Sequence, residues 1–114
     1  MGREFSYRTI TDEQPMQENE RIMNKREYGF VCTELYHITT FEILKIYDKF
    51  VKSTKSINRD TQLTDDVKQT MIKQLTDKHD VDCQTLWDNY HKYIKSFKSD
   101  YMNKKIVVKY NTAD

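Results

Sequence analysis

Residues that break helices or build tight turns are scarce in this chain, which has two Gly and one Pro among 114 residues. A many-stranded sandwich or barrel needs frequent turns made from such residues, so their scarcity favours helices. Two glycines also provide no Gly-rich loop whose backbone could cradle a phosphate. The composition therefore predicts an all-α or mainly α domain without a nucleotide-phosphate loop.

Cysteine and long apolar runs are scarce too. Cys32 and Cys83 lie far apart in the chain, unlike the disulfide framework of a small secreted domain. We expect two reduced thiols and a cytoplasmic, intracellular location. No stretch approaches 18 apolar residues and none lies at the start, so the sequence predicts neither a membrane-spanning helix nor a signal peptide.

Neither sign of charge is in clear excess, because 19 basic and 18 acidic residues give a net charge of +1. A protein with so small a net charge has no strong overall electrostatic attraction to nucleic acid or to a membrane. Lysine outnumbers arginine, and alanine occurs once. This bias is typical of AT-rich codons and a low-GC genome, and it favours a small phage or viral accessory protein.

Helical spacing and capping residues predict a compact bundle of four to five helices with a long C-terminal helix. Pro15 and Gly29 would bound a first helix, and the 30–38 segment fits either a helix or a strand. Thr39 with Glu42 forms a capping box for the next helix, and Lys52–Gln62 reads as a loop. Later helices would open at Thr64 and at Asp82, and the last would run to about Asn103.

The two ends of the chain are rich in β-forming residues. We expect one helical domain over 1–114 with extended arms at 1–12 and 104–114. Within these arms, segments 3–10 and 106–110 could pair with each other as a short β-ribbon or add to a partner's sheet.

Two helices are expected to build the core. The first begins at Thr39, and its apolar residues cover more than half of its circumference, which predicts a central position. These residues are Phe41, Ile43, Leu44, Ile46, Tyr47, Phe50 and Val51. The last helix would bury the ridge Leu86, Tyr90, Ile94 and Phe97 and turn its lysines outward.

No arrangement of catalytic side chains is recognisable, so we expect a protein that is not an enzyme and has no cofactor. His79, Asp80, Asp82 and Cys83 are potential metal ligands within five residues. A structural zinc site usually takes two separated pairs, and no second pair follows. A helix end at His79 and a helix cap at Asp82 explain the cluster better, so no metal site is predicted.

Protein binding is the function that the sequence favours. The eight tyrosines exceed the need of one small core, and tyrosine is enriched at interfaces. Tyr93, Tyr101 and Tyr110 are the candidate anchors. The hypothesis is an adaptor, inhibitor or assembly subunit that binds another protein, with a homo-oligomer as one form.

The alternative is a small DNA- or RNA-binding module. Residues 61–90 carry a net charge of −3 and residues 91–114 a net charge of +4. A basic face on the final helix and the residues after it could neutralise phosphates, through Lys92, Lys95, Lys98, Lys104 and Lys105. The segment from Leu75 to Lys98 resembles the end of a Myb-like or MADF-type domain, with Trp87 to Tyr93 in the place of the third helix, and this resemblance implies DNA binding. The tryptophan that those domains carry in earlier helices is absent, since Trp87 is the only one.

Overall fold

The computed structural model describes residues 6–110, which form a sheet and two long helices. In chain order the elements are β1 (Tyr7–Thr9), β2 (Glu20–Ile22), α1 (Lys25–Arg59), α2 (Asp65–Met102) and β3 (Ile106–Lys109). The predicted bundle of four to five helices is therefore wrong. Within 6–110 there are two helices, of 35 and 38 residues, and a three-stranded sheet.

The error in helix number came from boundaries placed inside continuous helices. Gly29 lies within α1, and segment 30–38 is helical throughout. Thr39 does not cap a helix, because its hydroxyl donates to the Leu35 carbonyl 2.9 Å away, one turn earlier. Asp82 lies within α2 and forms an ion pair of 2.7 Å with Lys78. Threonine and aspartate are compatible with a helix interior when their side-chain polar groups bond to groups one turn away in the same helix.

The start of α1 has a capping box that was not predicted from the sequence. The Glu27 N–H donates to Asn24 Oδ1 at 2.9 Å, and the Asn24 N–H donates to Glu27 Oε1 at 3.0 Å. Arg21 adds two hydrogen bonds of 2.7 Å to the Glu27 carboxylate. The helix predicted between Pro15 and Gly29 is therefore wrong over most of its length, since β2 and a turn precede this cap.

The ends of α2 follow well-known capping patterns. Thr64 is the N-cap as predicted, with its Oγ1 accepting from the Val67 N–H at 3.3 Å. At the other end the Lys105 N–H donates to the Asp100 carbonyl at 2.8 Å, and the Lys104 N–H to the Tyr101 carbonyl at 3.0 Å. This pair is the Schellman motif, and it places Lys104 at φ 56°, where glycine is usual.

The sheet has the strand order β1-β3-β2, with both pairings antiparallel. The two β-prone end segments pair with each other, with Tyr7 opposite Val108, and β2 joins the other side of β3. The central strand is buried on both faces, because Ile106, Val107 and Val108 are all buried in succession. Residues 3–5 of the predicted first strand lie outside the described residues.

Contacts divide the chain into two units. The sheet unit comprises Met1–Glu34 with Lys92–Asp114, and the hairpin unit comprises Leu35–His91. The buried apolar side chains of the described residues all belong to the sheet unit, and they are Met23, Val31, Phe97, Ile106, Val107 and Val108. The hairpin unit consists of parts of α1 and α2 joined by a short loop.

An ion pair connects the two outer strands of the sheet. Arg8 donates to both carboxylate oxygens of Glu20, at 2.8 and 2.7 Å. Its other bonds go to the carbonyls of Gln14 and Pro15, at 2.6 and 2.7 Å. The hydrogen bond from Arg8 holds the pKa of Glu20 below its usual value of 4.5.

Replacing Gly29 with alanine should stabilise the protein. A Cβ at this helical position would meet nothing within 4 Å, and alanine loses less backbone entropy than glycine on entering a helix. The expected gain is about 0.5–1 kcal/mol in the free energy of unfolding, measured by urea denaturation. A loss of stability in Gly29→Ala would instead favour the helix end that the sequence suggested.

The Arg8–Glu20 pair should make stability depend on pH. Because the pKa of Glu20 is lowered in the folded state, its contribution is present above the usual glutamate pKa and is lost as pH falls through the lowered value. Glu20→Gln should therefore reduce the free energy of unfolding at neutral pH, and the difference from the wild type should shrink as pH falls below the usual glutamate pKa. A difference that stays constant over this range would contradict the assignment.

Candidate protein interface

The tyrosines predicted as interface anchors lie in the sheet unit, and Tyr101 takes part in its packing. Tyr101 is half-buried, and its ring stacks on Tyr28 with centroids 4.1 Å apart. Tyr28 stacks in turn on buried Phe97 at 5.3 Å. Because its ring continues this stack, Tyr101 supports the fold of the sheet unit.

Tyr93 and Tyr110 are more exposed, at 48% and 39%. The Tyr93 hydroxyl shares a hydrogen bond of 3.3 Å with the hydroxyl of Tyr7. Burial, helped by this bond, raises the pKa of Tyr7 to about 12. The Tyr110 hydroxyl donates to the Glu18 carbonyl at 3.2 Å. Both side chains therefore have partners within the sheet unit, and their role at an interface stays a prediction.

The lysines of the alternative function are all exposed. Lys92, Lys95 and Lys98 lie on α2, away from the buried side of Phe97, and Lys104 and Lys105 form the turn that follows. No arrangement among the described residues distinguishes these lysines from an ordinary solvated surface. Nucleic-acid binding through them stays a prediction.

The potential metal ligands between His79 and Cys83 do not converge. Among residues 6–110 there is no group of three or more His, Cys, Asp or Glu side chains that could hold a metal ion. The His79 ring stacks on Phe50 at 4.7 Å, and Asp82 pairs with Lys78. Burial raises the pKa of the Cys83 thiol, which disfavours the thiolate that a metal would need.

The hairpin unit is held together by one seam of aromatic and aliphatic side chains. Tyr36 lies against Trp87 and Tyr90, with ring centroids 5.9 and 6.0 Å apart, and Phe50 stacks on His79. A cavity of about 190 Å³ lies beside His79. Throughout residues 35–91, all of which are described, no side chain is fully buried. The seam therefore leaves the hairpin unit with a thin core.

Five large apolar side chains of α1 are exposed in this unit, and they are Tyr36, Ile38, Phe41, Leu44 and Tyr47. Phe41, Leu44 and Tyr47 are 58%, 62% and 53% exposed. Residues three apart are neighbours on a helix surface, so these three form one continuous outer face, the name used for them below. The helical spacing predicts a core position for Phe41, Leu44 and Tyr47 if other helices surround α1, and this prediction is wrong because these side chains are exposed.

The rim of the outer face carries charges of both signs. Lys45 lies 4.8 Å above the Phe41 ring centroid and pairs with Glu42 at 3.2 Å. Asp48 pairs with Lys52 at 2.9 Å. An apolar centre with a polar, mixed-charge rim is the usual composition of a protein–protein interface.

No protein-family model matches this chain, and no curated protein or solved structure gives a significant match. Neither helix of the described residues is long and apolar enough to cross a membrane.

Substitution of the tyrosines should separate packing from surface roles. Tyr101→Ala removes the 4.1 Å stack on Tyr28 and should lower the free energy of unfolding by about 1–3 kcal/mol. Tyr93→Ala, at a more exposed ring, should cost less than about 1 kcal/mol. Urea denaturation of both variants checks this order. Equal losses would show that the two rings contribute alike to the sheet unit.

Proposed function

We propose that this protein is a non-catalytic interaction protein that binds another protein through the outer face of α1. Binding to another protein is also the function that the sequence favours. The proposed binding residues are now Phe41, Leu44 and Tyr47 instead of Tyr93, Tyr101 and Tyr110. The observation that carries it is the exposure of these three residues on a helix with apolar residues around most of its circumference.

A helix that is apolar on nearly all sides is normally buried on nearly all sides. In the hairpin unit the inward residues of α1, such as Ile43, Ile46 and Phe50, are already only half-buried against α2. The outer face therefore adds apolar surface that this unit leaves in water. Binding a protein there removes that surface from water, and each fully covered large side chain contributes about 1.5–3 kcal/mol.

The surface that best fits the outer face is another helix or helix pair. Three side chains spaced three residues apart form a ridge, and such a ridge packs into the groove of a second helix. The charged rim formed by Glu42, Lys45 and Asp48 would remain in contact with water. We therefore class the activity as helix-to-helix binding, as in an adaptor or assembly subunit.

A photo-crosslinking amino acid placed at Leu44 tests the proposal in the cells that naturally make the protein. We expect a discrete product that contains this chain joined to a protein, identified by mass spectrometry. The matched control position is Val81, which is 63% exposed on α2 against 62% for Leu44. The product should also disappear when Tyr47→Glu is added to the Leu44 probe.

Two results would reject the outer face as a binding surface. One is the same set of products from both probe positions, because it would reflect random encounters. The other is no product at Leu44 at all.

A further inference from the structure

We propose that the protein bound at the outer face contributes an acidic amphipathic helix, whose apolar side chains cover the outer face and whose carboxylates meet a basic end of α1. The basic end consists of Lys52, Lys55 and Arg59, which are all exposed. This inference rests on the proposed function and names the chemistry of its partner.

The basic end lies on the same side of α1 as the outer face. Lys52 follows Phe41 by eleven residues, and Lys55 follows Leu44 by the same number. Eleven residues make about three helical turns, so each lysine lies nearly in line with an apolar residue about 16 Å earlier on the helix. This exposed side of α1 therefore changes from apolar to basic along its length.

Most of the charge of the basic end is not neutralised within the hairpin unit. Residues 49–59 contain four basic residues and no acidic residue. Lys52 pairs with Asp48 at 2.9 Å, but among the described residues neither Lys55 nor Arg59 forms an ion pair. Both lysines also lie before the last turn of α1, to which the stabilisation of cations by the helix dipole is confined. An acidic partner can therefore neutralise charge that this unit leaves exposed.

The basic end surrounds a surface hollow of about 460 Å³. Its lining consists of Lys52, Lys55, Ser56, Arg59 and Asp60. Asp60 is the one acidic member, and it bonds to the loop that follows, because its Oδ1 accepts from the Gln62 N–H at 2.8 Å. The three cations can therefore donate charge-assisted hydrogen bonds to carboxylates of a helix that lies across the hollow.

The order of apolar and basic residues along α1 favours a protein helix over a membrane or a nucleic acid. A helix that lies in a membrane interface carries its apolar and basic residues on opposite faces, whereas here they follow each other on one side. A nucleic-acid duplex presents phosphates along its whole length and would leave the outer face in water. A helix with apolar residues over one half and Asp or Glu over the other is complementary to both parts of this side of α1.

Photo-crosslinking from two positions provides the main test. A photo-crosslinking amino acid is placed at Leu44 in one chain and at Ser56, in the hollow, in another. In the cells that naturally make the protein, we expect both probes to capture the same partner. Mass spectrometry should place the Ser56 cross-link in a segment with at least about three Asp or Glu residues within two helical turns. A Ser56 cross-link in a neutral or basic segment would overturn the proposal, as would a Leu44 product without a Ser56 product.

Charge reversal measures what the basic end contributes. Lys55→Glu combined with Arg59→Glu should lower the yield of the Leu44 product at least about tenfold, because like charges then face each other in the contact. The matched control is Lys92→Glu combined with Lys95→Glu, which changes the net charge equally at exposed positions of α2. Equal yields from the two double variants would contradict the acidic partner. If circular dichroism shows a loss of helicity in the first variant, Lys55→Gln with Arg59→Gln replaces it, and its yield should also fall below that of the control.

Designed peptides test the same contact with the purified full chain. The probe is a helical peptide with leucines along one side of its first half and glutamates along the same side of its second half. A control peptide carries glutamines in place of the glutamates. We expect the glutamate peptide to bind at least about tenfold more tightly in low salt, and this advantage to shrink as the ionic strength rises to about 0.5 M. Lys55→Glu with Arg59→Glu should reverse the preference, so that a third peptide with lysines in place of the glutamates binds best.

Two outcomes of the peptide experiment would reject the acidic helix. One is equal affinity for the glutamate and glutamine peptides. The other is binding of phosphatidylserine vesicles or of DNA through Lys55 and Arg59 while the glutamate peptide does not bind, because the occupant would then be a membrane or a nucleic acid.

The two proposals fail in different ways. If the Leu44 probe captures a specific protein whose contact is unaffected by reversal of Lys55 and Arg59, the acidic helix is excluded and the binding role of the outer face remains. If the Leu44 probe captures nothing specific, both proposals fall.

Discussion

A helix that packs against a single neighbour can cover only one of its faces, and the hairpin unit is governed by that constraint. Its two helices meet along one seam, and that seam uses the inward residues of α1 such as Ile46 and Phe50. The apolar residues on the opposite side of α1 then have no place within the unit. Thin packing at the seam and the exposed outer face are therefore consequences of the same arrangement.

The sheet unit meets the same demand for burial in a different way. Its central strand β3 has a neighbour on each side and is covered on both faces, so a strand of four residues supplies three of the buried side chains. The aromatic stack of Tyr28, Phe97 and Tyr101 extends this packing. A strand with two neighbours and two covered faces buries more per residue than a helix with one neighbour. The buried apolar side chains of the described residues therefore all lie in this unit.

Sequence patterns predicted the type of most elements but not their number. The helical spacing after Thr64 and the β character of 106–110 are both present in the structure. Capping motifs misled, because Thr39 with Glu42 and Asn24 with Glu27 look equivalent in sequence, and only the second pair exchanges hydrogen bonds at a helix start. Whether such a pair caps a helix depends on whether its first residue adopts the non-helical backbone conformation of an N-cap, which the two residue types alone do not determine. Strand β2 was missed because Glu20 and Arg21 have weak β propensity, and pairing with β3 decides their conformation.

The apolar residues of the candidate site could be recognised from the sequence, but their exposure could not be predicted from it. Seven apolar residues around the helix that follows Thr39 require burial on more than one face, and the natural interpretation is a helix at the centre of a bundle. That interpretation assumes enough other helices in the same chain to surround it. With one helix of the described residues available as its neighbour, the same pattern leaves Phe41, Leu44 and Tyr47 exposed. An excess of apolar residues on a helix is therefore best interpreted after the number of neighbouring helices is known. Until then it is equally consistent with a core within one chain and with a contact between two.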